Sequence, residues 1–190
     1  GRYHWNKRQI PEFEKAIVFF KQAIEKDPNY ALAYSGLADT YGLFPRFGAF
    51  RPKEYMPQAK QAALKALELD PNLAEAHTSL AQIALFYEYD FTGAEKSFKR
   101  AIELDPNYAT AHQWYGLLLA YIGKNDESVR EAKKAFELDP FSLRINSDLF
   151  SSLANANRFD EALLQNKKLN ELFPDERRFR GINGNIYTAQ

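Results

Sequence analysis

Three histidines, His4, His77 and His112, are the residues of this chain best suited to holding a metal or moving a proton. There is no cysteine, which removes disulfides, thiolate metal sites and thiol catalysis. His77 and His112 each stand six residues after a proline, Pro71 and Pro106. Tyr34 and Asn146 hold the equivalent places after Pro28 and Pro140. No carboxylate recurs beside them, and equivalent places in neighbouring helix pairs lie on the order of 10 Å apart, too far to share one ion. A packing role with a hydrogen-bonded ring is the better reading. Glu68/Asp70 and Glu103/Asp105 resemble acid–base couples in isolation, but they return with the prolines and so read as solvated helix ends. Ser151 and Ser152 offer hydroxyls with no histidine to activate them. The patterns G-x-x-x-x-G-K-[ST], G-x-G-x-x-G and H-E-x-x-H are absent. The sequence assigns no catalytic residue, metal or cofactor.

The elements that carry these residues are set by a repeat. Pro28, Pro71, Pro106, Pro140 and Pro174 are separated by 43, 35, 34 and 34 residues. DPNYA stands at Asp27–Ala31 and again at Asp105–Ala109, with DPNL at Asp70–Leu73 and DP at Asp139–Pro140. Twelve residues before the prolines stand Ala16, Ala59, Ala94, Ser128 and Ala162; five before stand Ala23, Ala66, Ala101, Ala135 and Leu169. Small residues at fixed offsets are what close helix–helix approach requires. Phe13, Ile17, Phe20 and Ile24 form an apolar stripe of helical period, so each unit reads as two helices. Proline cannot continue the preceding helix, while Asp and Asn offer oxygens to open amides. The motif is expected to end one helix and help start the next.

Composition sets outer limits. The 190 residues are 45% hydrophobic and 26% charged, a folded rather than a disordered balance. Lys+Arg and Asp+Glu are both 25, so the basic surplus that direct nucleic-acid binding requires is missing. No apolar run approaches the roughly 18–20 residues of a membrane span, so membrane insertion is not expected. The chain opens on Gly1 rather than Met and is expected to be a fragment or processed product, with a cytoplasmic location the working expectation.

The period, together with ATAHQWYGLLLAYIGKNDESVREAKKAFELDP over 109–140, resembles the tetratricopeptide repeat (TPR) family. The resemblance implies an all-α fold: a right-handed superhelix, or TPR solenoid, of antiparallel helix pairs forming one domain over 1–190. Its units are a truncated repeat at 1–28, consisting of a second helix, a repeat at 29–71 with an insertion near 42–57, repeats at 72–106, 107–140 and 141–174, and the start of a further helix at 175–190. Phe150, Asn166 and Leu169 depart from the pattern, which points to irregular packing in the last full repeat. Open apolar ends would allow end-to-end self-association. A finer resemblance runs through GRYHWNKR, FKQAIEKDPNYALAYSGLADTYGL and LKALELDPNLAEAHTSLA. It is to the TPR portion of bacterial multidomain transcriptional and signalling regulators.

Function is then expected on the groove that the first helices line in this family. The residues projected onto it are Asp39, Glu75, Gln82, Phe86, Thr110, Gln113, Leu117, Tyr121, Arg144 and Ser151. Lys and Asn are missing from the places where chaperone-binding relatives hold a peptide carboxylate. The expected role is a non-catalytic scaffold for a protein or peptide partner; the alternative is an accessory, substrate-guiding segment of a larger enzyme. The insertion interleaves Phe44, Phe47 and Phe50 with Arg46 and Arg51. As an exposed loop it would contact a partner; otherwise its aromatics pack on the neighbouring helices, which is the favoured reading.

Overall fold

Proline and its flanking Asp and Asn punctuate the chain as the repeat requires, and a computed structural model describes residues 1–7, 9–48 and 51–174. Every regular element among the described residues is helical. The chain divides into two compact units, the first ending at Pro106 and the second beginning at Asn107. The first contains α1 (Arg2–Asn6), α2 (Ile10–Lys26), α3 (Ala31–Phe47), α4 (Pro52–Leu69), α5 (Ala74–Ile83) with a π turn at Ala84–Glu88, and α6 (Phe91–Leu104). The second contains α7 (Ala109–Tyr121), α8 (Asn125–Leu138), α9 (Leu143–Asn155) and α10 (Phe159–Leu172). Successive helices pack as antiparallel pairs: α2 on α3, α3 on α4 and α5 on α6, then α7 on α8 and α9 on α10. The stretch 1–28 holds α1 as well as the single helix expected there. The further helix expected at 175–190 lies outside the described residues.

The joints differ in one respect from the expectation. Asp27 and Asp70 do not cap the following helix; each accepts the amide of Asn29 or Asn72, two residues on, at 3.0 Å. The next helices start at Tyr30 and Leu73 without a side-chain cap. The motif therefore closes on itself as an Asx turn, because a carboxylate at that position reaches its own loop before it reaches the next helix.

The uneven spacing has a structural accounting. In the 43-residue interval α3 and α4 run to 17 and 18 residues, against 13 and 14 for α7 and α8. Four extra residues in each helix and one in the link supply the excess of nine. The insertion is thus mostly helix, with Pro52 at the first turn of α4 where its missing N–H costs nothing. In the 35-residue interval the single extra residue enters the π turn. There the Tyr89 amide reaches back to the Ala84 carbonyl, a one-residue widening of the helix.

Packing explains the small residues. Ala16, Ala59, Ala94, Ser128 and Ala162 are all fully buried. A Cβ on Gly116 would lie 3.2 Å from the Ser128 carbonyl oxygen, so α7 and α8 touch backbone to backbone. In the last repeat, Phe150 and Leu169 share one core cluster with Val129, Leu149, Leu153 and the small Ala162, which makes room for their bulk.

Candidate functional site

Each unit presents a face made by its first helices. In unit 1, Ser35, Asp39, Gly42 and Arg46 follow helical spacing along α3, and Glu75, Ser79, Gln82 and Phe86 do so along α5 and its π turn. Asp39 is only 2% exposed. Its carboxylate accepts from the Ser79 hydroxyl and pairs with the Arg2 guanidinium. Burying a carboxylate is costly unless it is paired and hydrogen-bonded, and here both conditions are met. Gln82 is buried too, and its amide nitrogen and the Ser35 hydroxyl have no hydrogen-bond partner among the described residues. Glu75 and Phe86 remain half-buried, and the Arg46 guanidinium sits 4.2 Å above the Phe86 ring. Beside them, a Cβ on Gly42 would meet nothing within 4 Å.

In unit 2 the facing helices are α7 and α9. Gln113 donates to Asp148 at 2.7 Å, and Arg144 holds the same carboxylate at 3.0 and 3.1 Å. A recess of about 30 Å³ opens between them. Gln113, Leu117 and Ala120 line it from α7, and Ile145, Asp148 and Ser151 from α9. Its floor is alanine, Ala132 and Ala135 of α8. Tyr121, 61% exposed, ends α7. Thr110 is half-buried in the first turn of α7 and does not line the recess.

The projected residues therefore divide. Gln113, Leu117 and Ser151 come together around the recess. Asp39, Gln82 and Gln113 are buried and shape the faces from below, while Glu75, Phe86, Leu117, Tyr121, Arg144 and Ser151 are the reachable ones. Projection along single helices missed Asp148 and Arg2. Asp148 had a readable signal, since Arg144 stands four residues earlier. Arg2 reaches Asp39 from 37 residues away, and no local pattern announces it.

Of the residues offered for an insertion-loop contact, Phe44 is core, in line with the favoured packing reading. Phe44 lies within α3, 3% exposed, edge-on to Phe13 at 6.2 Å and 4.9 Å from Tyr55. Arg46 belongs to the first-helix face, and Arg51 is exposed at the start of α4. Phe47 closes α3 but its side chain lies outside the described residues, as does Phe50. The histidines take hydrogen-bonded places: His112 Nδ1 meets Glu131 at 2.6 Å, His77 Nε2 meets the Pro71 carbonyl at 3.0 Å, and His4 Nδ1 meets Glu12 at 2.7 Å. Lys7 and Lys15 also bind Glu12, and these cations and the His4 contact hold its carboxyl down at about 2. Among the described residues no three His, Asp or Glu side chains cluster as metal ligands, and no helix is long and apolar enough to cross a membrane.

Paired helices of this length, repeating near 34 residues with alanine and glycine at the contacts, define a helical-repeat fold. The tetratricopeptide-repeat family model matches residues 74–108. The structure is similar to a thermophilic TPR protein of Thermus thermophilus, with a TM-score of 0.75 at 21% identity, covering 98% of this chain and 96% of that one. It is also similar to YrrB, described as a TPR protein with an unusual peptide-binding site, with a TM-score of 0.60 at 24% identity, covering 92% and 85%. Residues 74–108 thus match a tetratricopeptide repeat, and the fold is that of a TPR solenoid. By sequence the chain is 29% identical over 130 residues to the transcriptional regulator HilA of Salmonella typhimurium, a match covering 68% of this chain and 23% of that protein. It thus spans about a quarter of the length of the curated relative it matches.

Proposed function

We propose that this chain is a non-catalytic interaction module whose first-helix faces bind an extended segment of a partner protein, as the regulatory part of a larger bacterial transcription or signalling regulator. One observation carries the reading: the recess between α7 and α9, where Gln113, Leu117 and Ser151 converge beside a fixed carboxylate. An extended segment can seat a small side chain over the alanine floor while its backbone meets Ser151 and Arg144 at the rim. The regulator context is supported by the likeness to HilA and concerns a protein much longer than this chain.

The test is capture of partners from the source cell by the chain, by Ser151→Trp, which fills the recess, and by Tyr121→Ala. Loss of the same partner with both variants, at unchanged helicity, is expected. Its retention by both would remove these residues from the site.

A further inference from the structure

We propose a second docking surface, on the opposite side of unit 1, that accepts a short amphipathic helix of a partner with an acidic end. A cleft of about 530 Å³ runs between α2 and α4 over α3. Its floor is Tyr34, Leu37 and Tyr41, with Leu64 on one wall and Lys21 on the other. At 100° per residue, the Tyr34–Leu37–Tyr41 stripe lies well over 100° around α3 from the Ser35–Asp39–Gly42 stripe. The cleft is therefore distinct from the first-helix face.

Its origin lies in the residues. Place by place, Tyr34 corresponds to His112 and Asn146, and Ala62 corresponds to Glu131 and Gln165. In unit 2 those partners join across the gap: His112 meets Glu131 at 2.6 Å, and Gln165 donates to Asn146 at 2.8 Å. An alanine at 62 cannot reach across, so the gap stays open. Leu64 is left 51% exposed at its edge. In the same helix pair the insertion lengthens both α3 and α4, which extends the walls.

Shape and charge choose the occupant. The α4 wall runs from Gln58 to Glu68, about 15 Å at 1.5 Å per residue, the length of a three-turn helix. The volume falls within the range of specific binding clefts, and an aromatic–aliphatic floor suits the apolar stripe of a helix laid in a groove. At one end Glu68 is answered by Lys65 at 2.6 Å. Lys21 pairs with no carboxylate among the described residues, so a partner's acidic residue completes that end.

The experiment selects binders from a displayed library of helical peptides on the whole chain carrying Ser151→Trp, which takes the unit 2 face out of play. Synthetic copies of the winners are then titrated by fluorescence anisotropy. Expected are peptides with aliphatic residues at i, i+3 or i+4, and i+7 and an acidic end. Their affinity should fall at least tenfold on Leu64→Lys or Lys21→Glu, both at exposed positions and neutral for helicity. Binders that are extended, basic, or indifferent to both changes would overturn the proposal, as would failure to select any binder. Because this titration leaves the unit 2 recess blocked throughout, its outcome is separate from that of the partner capture.

Discussion

Replacing Phe44 by leucine asks whether the aromatic insertion is core or contact. The side chain is nearly inaccessible and meets two other rings, Phe13 and Tyr55. Leucine loses the aromatic pairing, about 0.5–1.5 kcal/mol per pair beyond area burial. It also leaves a partial void costing about 1 kcal/mol. The sum is roughly 2–4 kcal/mol, set against the 5–15 kcal/mol that hold an ordinary domain. With a urea slope of about 2 kcal/mol per molar, the midpoint should drop by about 1–2 M. Trp5 is buried in unit 1, so its fluorescence, read in a Trp114→Phe background, reports the transition. Phe141→Ala, at a side chain 76% exposed, should stay within about 0.5 kcal/mol of the parent by far-UV circular dichroism. A Phe44→Leu midpoint shifted by less than about 0.3 M would refute the packing argument and return this residue to the partner contacts.

Two glycines should respond with opposite sign. Gly42→Ala places a methyl in open space within a helix and should raise stability by about 0.5–1 kcal/mol, measured by thermal melting. Gly123→Ala forces a side chain to φ +78° and should lower it by about 1–2 kcal/mol in the same assay. Glu12 gives a pH signature: its carboxyl stands at about 2 in the folded chain against 4.5 unfolded, so its contribution is complete above about 4.5 and is lost as pH falls towards 2. The acid-unfolding profile of Glu12→Gln should be flatter across that window, and an unchanged profile would place the effect elsewhere.

Much of the fold is legible because its rules are local. The joints follow from Pro28, Pro71 and Pro106, and the start of α4 from Pro52. The insertion is harder to read, since Gly42 and Pro45 resemble breakers. Yet Pro45 falls in the last turn of α3, where one lost backbone bond is cheap, and the helix runs on to Phe47. The faces are half-legible. Periodicity places Asp39, Gln82 and Gln113 on the faces that the first helices share. Whether each is reachable depends on the neighbouring first helix, and that distance is not written in a single-helix pattern. Asp148 could have been noticed through Arg144, whereas the Arg2–Asp39 pair depends on tertiary structure alone.

The self-closing Asx turns bear on the order in which the chain assembles. A joint that bonds within three residues needs no distant partner, so each helix pair can close on its neighbour over a short loop, on microsecond scales. Chains dominated by such near contacts fold fast. The Arg2–Asp39–Ser79 cluster is different, spanning 37 and 40 residues. Asp39 cannot leave water at low cost until α1 and α5 are both seated on α3. The buried carboxylate is therefore expected to close as a late latch, after the pairs around it have formed.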